Sequence, residues 1–353
     1  MHSIAITGAS SGIGAALARR AAANGWAVLA VARRGDRLEA LAREIAASGG
    51  RCEMLVADVL WNTAPQTIVD RAVRAFDRLD VVVNNAGAAH ASNLLDESEA
   101  EIERQWQLHV AAPLRIARAA LPHLERAHGG MVFFGSGLAR VPAPGYGAYA
   151  PAKAAIRAAA IQLRRELRPR GVFVTYVDPG VVDTEFSRAS GMEEHPASWH
   201  AKPDAVAAAV LRGIERRASR VNAVPWQTAA TVAGEWLPGI ADRAMTSLVT
   251  PPAVPQPQPV VEAPATAGIV TPFEEALGPL HRRMERVKLP VSFVRSLLVP
   301  QTTIDLNDAA MRWAGMPNKN ERAAMREVLD ALAQAGFLQS NGAEDWRVLR
   351  GPD

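Results

Sequence analysis

The segment Ser3-Ile-Ala-Ile-Thr7, followed by Gly8-Ala-Ser-Ser-Gly12-Ile-Gly14, decides the fold of the chain. Residues 3 to 7 form an apolar run typical of a fully buried strand, and an alanine-rich helical pattern follows the glycines. Glycines allow a tight turn and close approach to the backbone, and a helix N-terminus offers free N–H groups to a phosphate. The spacing differs from the commoner Gly-x-Gly-x-x-Gly. In this context it predicts a pyrophosphate-binding turn over a purely structural one.

Apolar segments of strand length recur along the chain and alternate with helical patterns. The further strands expected are Ala27–Ala32, Cys52–Val56, Asp80–Val83, Met131–Phe134, Val172–Val177 and Val221–Val224. This alternation predicts an α/β fold, a doubly wound parallel sheet of about seven strands with helices on both faces. Ligands bind such sheets beyond the carboxyl ends of the strands, where Asp58, Asn85, Gly87 and Ser136 follow their strands. Each could be a turn residue alone, but together they predict one cleft.

Arg33 and Arg34 follow the second strand, where dinucleotide folds commonly read the adenosine ribose. An acidic residue there would bind the ribose hydroxyls of NAD, whereas an arginine can pair with the extra phosphate of NADP. The alternative is that both arginines are solvated ahead of a helix capped by Asp36, with Glu39 three residues on. We expect Arg33 in particular to bind phosphate, so the sequence favours NADP(H).

The stretch Gly145-Tyr-Gly-Ala-Tyr149-Ala-Pro-Ala-Lys153 is where we expect the chemistry. Tyr149 and Lys153 are four residues apart and would share one helix face. The ammonium would favour the phenolate and lower the pKa of Tyr149, which could then exchange a proton with a substrate. Ser136, at a strand end, could hold a carbonyl oxygen. Taken alone, the motif could also be a surface tyrosine beside a solvated lysine.

Five motifs, in this order and spacing, resemble the short-chain dehydrogenase/reductase family over about residues 1 to 245. They are Thr7-Gly-Ala-Ser-Ser-Gly-Ile-Gly14, Asn84-Asn-Ala-Gly87, Ser136, Tyr149-x-x-x-Lys153 and Pro179-Gly180. The resemblance implies a Rossmann-like enzyme in which a nicotinamide hydride adds to, or leaves, a carbonyl carbon. It also implies that Tyr149 donates the proton in reduction and that Ser136 positions the substrate oxygen. Lys153 would lower the pKa of the phenol and bind the nicotinamide ribose.

The same resemblance implies a set of residues around NADP(H). Gly8, Ser10 and Ile13 would line the pyrophosphate, Asp58 and Val59 the adenine, Asn85, Ala86 and Gly87 the adenosine side, and Val182 and Thr184 the carboxamide. The rest of the expected set is Ser11, Gly12, Gly14, Arg33, Arg34, Tyr149, Lys153, Pro179 and Gly180. The family habit of pairing two helices across subunits implies a homodimer or homotetramer.

His109 departs from the family pattern. A long helical region from about Glu99 to Leu124 is expected to kink at Pro113, and in the family it usually carries an asparagine that holds a proton-relaying water. His109 occupies the corresponding position. It could hold the same water, or alter the pH profile because its own pKa lies near neutral. It could equally be a core histidine that contributes only its shape.

The segment 182–202 corresponds to the variable loop that covers the substrate in this family. Its large apolar residues suggest an apolar substrate, although they could equally pack against the domain; they are Phe186, Met192 and Trp199. His195 and His200 lack a cysteine or a carboxylate in a clear ligand arrangement, so we expect no metal site.

Residues 251–271 are rich in proline and predict a semi-rigid linker between a catalytic domain, 1–250, and a small helical domain, 272–353. In the last domain helical patterns precede a hairpin turn expected at Asn341-Gly342, an order that weakly resembles a winged helix. Residues 251–353 hold 11 Lys+Arg against 12 Asp+Glu. This balance argues against nucleic acid, so we expect the domain to contact the catalytic domain, another subunit or another protein.

Composition narrows the class further. With 353 residues, 49% hydrophobic and 21% charged, the chain is typical of globular proteins, and a net charge of +3 is too small to indicate nucleic acid. The single cysteine, Cys52, excludes an internal disulfide and suggests the reducing cytoplasm. No secretory signal and no apolar run of about 18 residues is visible, so no membrane span is expected.

Together these patterns predict an NADPH-dependent carbonyl reductase, or the reverse alcohol dehydrogenase, acting on an apolar small molecule. The alternative is an NADP-sensing regulatory or scaffold protein whose C-terminal domain contacts a partner. The presence of Ser136, Tyr149 and Lys153 together favours the enzyme, because a sensor does not need all three.

Overall fold

The computed structural model describes residues 1–186, 197–248, 272–298, 302–314, 317–342 and 344–351. Met192, His195 and the expected linker 251–271 therefore lie outside the described residues. The chain divides into two compact units, residues 1–256 and 257–353. Each unit has a hydrophobic core of its own.

Seven parallel strands form the sheet of the first unit, in the order β3-β2-β1-β4-β5-β6-β7. They are β1 Ser3–Thr7, β2 Ala27–Ala32, β3 Arg51–Val56, β4 Val81–Asn84, β5 Gly130–Phe134, β6 Phe173–Asp178 and β7 Arg220–Asn222. All five residues of β1 are buried, and Ile4 lies opposite both Val28 and Val81. Continuous apolar strands of this kind need cover on both faces. The predicted doubly wound parallel sheet is confirmed.

Helices cover the two faces of this sheet and bury two separate apolar clusters. One face packs against α1 Gly12–Ala23, α2 Gly35–Ala47 and α7 Pro203–Glu215. The other packs against α3 Ala64–Phe76, α5 Ala112–Ala127 and α6 Tyr149–Leu167. The remaining α-helices in the described part of this unit are α4 Glu99–Trp106, α8 Pro225–Trp236 and α9 Pro238–Leu248. No helix of the described residues is long and apolar enough to cross a membrane.

The predicted interruption of the long helical region is a π-helical turn, Gln107–Ala111, between α4 and α5. Pro113 follows immediately. Because proline has no N–H to donate to the carbonyl of residue 109, the regular hydrogen-bond ladder cannot continue through it. The wider turn accommodates this loss, and π-turns are often found at functional sites. It carries His109 into the interior.

The second unit combines short helices with a three-stranded antiparallel sheet in the order β8-β10-β9. The helices are α10 Pro272–Leu277, α11 His281–Val287, α12 Val291–Leu297, α13 Leu306–Ala314 and α14 Lys319–Gln334. The strands are β8 Thr303–Asp305, β9 Leu338–Ser340 and β10 Asp345–Val348. Asn341 and Gly342 lie between β9 and β10, where a hairpin turn was expected. Sequence reasoning missed β8, since three residues give no readable alternation.

Candidate active site

The residues expected to form the site converge on one cleft of about 840 Å³ at the carboxyl edge of the sheet. Those that line it are Gly8, Ser10, Ser11, Gly12, Ile13, Arg33, Arg34, Asp58, Val59, Asn85, Ala86, Gly87, His109, Ser136, Tyr149, Lys153, Pro179, Gly180, Val182 and Thr184. Gly14 is the exception. It packs behind the turn, where an added Cβ would lie 2.3 Å from the carbonyl oxygen of Gly8. Gly14 therefore permits close packing of α1 on the turn and does not line the cleft.

Asn85, which directly follows the neighbouring strand β4, holds the turn between β1 and α1 in place. The side-chain amide of Asn85 donates to the carbonyl oxygens of Thr7 at 2.9 Å and Gly8 at 3.3 Å. Thr7 Oγ1 in turn accepts from the backbone N–H groups of Asn85 and Ala86, both at 3.1 Å. Gly8 and Gly12 have positive φ angles, which glycine adopts without strain. Asn85 thus fixes the shape of the turn through its side chain.

The start of α1 leaves its first-turn amides uncapped by a side chain, because the hydroxyl of Ser11 at the N-cap makes no capping bond. Uncapped amides at a helix N-terminus suit an anion. A Cβ on Gly8 would lie 2.8 Å from Asn85 Nδ2, so only a bare backbone fits the turn. These features fit the pyrophosphate of a dinucleotide, which Gly8, Ser10 and Ile13 could line.

The guanidinium groups after β2 differ in their surroundings. Arg34 donates to Ser10 Oγ at 3.0 Å, to Ser11 Oγ at 2.8 Å and to Glu185 Oε2 at 2.8 Å. Arg37 donates to Glu185 Oε1 at 2.5 Å. Arg33 is largely exposed, with Nη1 3.8 Å from a carboxylate oxygen of Asp58. Sequence reasoning did not single out Arg37 or Glu185. The spacing of Arg34 and Arg37 on one helical turn was readable, but Glu185 comes from a distant part of the chain.

Tyr149 and Lys153 are both buried at the start of α6. Lys153 Nζ donates to the carbonyl oxygen of Phe134 at 2.8 Å and lies 5.6 Å from the centroid of the Tyr149 ring. Burial lowers the pKa of Lys153 to about 7. Burial also raises the pKa of Tyr149 well above its usual range, while a hydrogen bond with Ser136 opposes that rise. The expected lowering of the Tyr149 pKa by Lys153 is not found in this structure, where burial is the largest influence on the phenol and the Lys153 ammonium donates to the carbonyl oxygen of Phe134.

Ser136 is held in place by the neighbouring strand β6. Its backbone N–H donates to the hydroxyl oxygen of Tyr176 at 3.4 Å, and its Oγ accepts from the N–H of Leu138 at 3.2 Å. An added Cβ on Gly135 would lie 1.9 Å from the same Tyr176 hydroxyl. Burial, followed by the charge of Asp178, raises the pKa of Tyr176 to about 12, so its hydroxyl stays protonated. Sequence reasoning missed Tyr176, which looked like an ordinary strand residue.

His109 lies beside the phenol that we expect to react. Its ring meets that of Tyr149 edge to face, with centroids 5.0 Å apart. Nε2 lies 2.7 Å from the carbonyl oxygen of Ala88, so Nε2 carries the hydrogen and donates it. Burial, then the nearby Lys153 charge, holds the pKa of His109 well below its ordinary value. The ring is therefore neutral, and its buried Nδ1 is an acceptor with no hydrogen-bond partner in the part of the chain that the structure describes.

The far end of the cleft is mainly apolar. Phe186 lies 5.8 Å from Tyr149 between ring centroids, and Trp199 meets Trp226 edge to face at 5.6 Å. Further apolar lining residues come from the loop after β5 and from α8 and α9: Leu138, Val141, Ala143, Ala230, Leu237, Ile240, Ala241 and Met245. Sequence reasoning did not predict that α8 and α9 line the cleft. Among the described residues, which include His200, no group of three potential ligands could hold a metal.

Comparisons with known proteins agree with this arrangement. The family model described as short chain dehydrogenase matches residues 2–195. A short chain dehydrogenase of Pseudocercospora fijiensis is 38% identical over 51% of this chain and 59% of its own length. Sulfoacetaldehyde reductase 2 of Chromohalobacter salexigens is 35% identical, over 52% of this chain and 74% of its own. The solved structure of a short-chain dehydrogenase from Sphingobium yanoikuyae in complex with NADPH has a TM-score of 0.59 at 30% identity, over 72% of this chain and 99% of that one.

Proposed function

The chain belongs to the short-chain dehydrogenase/reductase family, and we propose on that premise that it is an NADP(H)-dependent oxidoreductase that interconverts a carbonyl and an alcohol on an apolar small molecule. One observation carries the proposal. Tyr149 and Ser136 line the same cleft as the glycine turn after β1. A proton donor and a dinucleotide site are thus brought together.

In the proposed reduction, NADPH, when bound, supplies the hydride to the carbonyl carbon. Tyr149 gives its proton to the carbonyl oxygen while Ser136 Oγ donates a hydrogen bond to the same atom. Burial raises the pKa of Tyr149, so the phenol carries at neutral pH the proton that this step needs. Lys153, buried beneath the ring, would return a proton to the phenolate and hold the ribose of the cofactor.

Two further observations support parts of the proposal. Arg34 follows β2, Arg37 lies one helical turn further on, and both donate to the same carboxylate of Glu185, so together they could bind a 2′-phosphate, and this favours NADP over NAD. The neutral His109, with Nδ1 as a buried acceptor, supports a direct role beside Tyr149 over one of shape alone.

The test is absorbance-monitored oxidation of NADPH and NADH, in parallel, with a panel of aldehydes and apolar ketones. We expect turnover with NADPH, weaker turnover with NADH, and a loss of at least 100-fold in Tyr149→Phe with NADPH binding retained. Full activity in Tyr149→Phe would refute the assignment of the acid. Tight NADPH binding without turnover on the whole panel would favour the second candidate.

That second candidate is an NADP-sensing protein whose C-terminal unit contacts a partner. The observation that favours it is that the second unit has a hydrophobic core of its own, in which Trp346 and Phe273 are fully buried. Deleting the residues after Thr250 separates the two functions. Unchanged turnover would make the C-terminal unit an interaction module, whereas lost turnover would make it part of the active assembly.

Exposed Ile102 and Trp106 on α4 support a homo-oligomer, which sedimentation velocity would detect.

A further inference from the structure

Glu185 forms ion pairs with Arg34 and Arg37, the two arginines that we propose bind the 2′-phosphate of the cofactor. It lies in the loop that follows β6, and its two carboxylate oxygens accept separately from Arg34, at 2.8 Å, and from Arg37, at 2.5 Å. Hydrogen bonds from these arginines, Arg37 first, lower the pKa of the Glu185 carboxyl to about 2. Glu185 is therefore an anion at neutral pH, placed where the cofactor would bring another anion.

The carboxylate and a phosphate monoester would need the same donors. All three side chains are a little over two-fifths exposed, so each ion pair is of the weak kind found at protein surfaces. A phosphate monoester carries between 1.5 and 2 negative charges, roughly, and three acceptor oxygens, against one charge and two oxygens for a carboxylate. Arg34 would keep its bonds to Ser10 and Ser11 during an exchange, because these use Nε and Nη2 and leave Nη1 for the anion.

We propose that Glu185 is a specificity-determining residue that competes with the 2′-phosphate, so that NADP(H) binds by replacing the Glu185 carboxylate on Arg34 and Arg37. This inference rests on the proposed function. NAD(H), which has a hydroxyl at that position, binds without displacing Glu185. The affinity for NADP(H) is then lower than Arg34 and Arg37 would give without Glu185 bound to them, and the affinity for NAD(H) is independent of Glu185.

Binding calorimetry on the full chain tests the exchange without requiring turnover. The ligands are NADPH, NADH and adenosine 2′,5′-bisphosphate, which carries the 2′-phosphate without the nicotinamide. The variant is Glu185→Gln. The matched control is Glu39→Gln, which removes the same charge from an exposed residue of α2 that faces Arg43 at 4.0 Å.

We expect Glu185→Gln to lower the Kd for NADPH and for the bisphosphate about fivefold, because two exposed ion pairs no longer compete. The Kd for NADH should stay within about twofold, and Glu39→Gln should resemble the wild type for all three ligands. Weaker NADPH binding in Glu185→Gln would mean that the carboxylate aligns the arginines, which overturns the competition. An equal gain for NADH would overturn it as well. No binding of any nucleotide to any of the proteins would overturn the proposed function together with this inference.

Discussion

Lys153→Met should make the protein more stable at neutral pH while it removes activity. The ammonium of Lys153 is buried with the carbonyl oxygen of Phe134 as its hydrogen-bond acceptor. Burial lowers its pKa from an ordinary 10.5 to about 7. Between these two values the unfolded chain binds more protons than the folded one, so stability rises with pH across this window.

The size of the effect follows from the two pKa values. Burial of Lys153 costs about 4 kcal/mol of stability at pH 7, as an order of magnitude, and this cost fades as the pH approaches 10.5. Methionine removes the cost but leaves the carbonyl of Phe134 without its donor, a loss of about 1–3 kcal/mol. The net gain at pH 7 is about 2 kcal/mol, or a rise in Tm of about 4–8 °C for a unit of this size.

Differential scanning calorimetry of the full chain at several pH values between 7 and 10 measures this gain. The advantage of Lys153→Met over the wild type should shrink steadily as the pH rises and change sign near the upper end. Lys202→Met, at an exposed lysine of the same unit, is the control. A variant that is less stable at pH 7, or an advantage that does not vary with pH, would refute the reasoning.

Three further predictions concern the cleft. Gly14→Ala should destabilise the protein and abolish nucleotide binding in calorimetry, because the added Cβ would collide with the backbone of the glycine turn. The control Gly239→Ala, whose added Cβ meets no atom within 4 Å, should change neither stability nor binding. Tyr176→Phe should lower kcat about tenfold with unchanged nucleotide Kd, because Ser136 loses the bond at 3.4 Å that holds its backbone; unchanged kcat would contradict this. For straight-chain 2-ketones, kcat/KM should rise about fourfold per methylene until the apolar part of the cleft is filled. A flat series would contradict an apolar substrate.

The local part of the site was readable from the sequence because it depends on neighbours along the chain. The glycine turn follows a strand that is apolar throughout, and Tyr149 and Lys153 share a helix face at a spacing of four. The direction of the Tyr149 pKa was not readable, because it depends on burial by distant elements. Glu185 could not be found either, since its partners Arg34 and Arg37, at the start of α2, lie about 150 residues earlier in the chain.

Gly14 and the second unit show two other limits. The glycine motif identifies a turn, but it does not distinguish a glycine that faces the ligand from one that lets a helix pack closely. In the second unit, Asn341 and Gly342 marked the hairpin through their turn chemistry. Its third strand, β8, pairs with β10 across about 40 residues of chain and has no local signature.

The position of β1 has a consequence for synthesis on the ribosome. β1 is an interior strand of the sheet and is made before β4, so the edge of β1 on which Ile4 lies opposite Val81 stays unpaired until β4 has been made. Until β4 emerges, one edge of a fully apolar strand stays open to other chains. Long-range parallel pairing of this kind is slow and exposes nascent chains to aggregation. Overexpression at low temperature or with a chaperone should therefore raise the folded yield more than changes to the surface would.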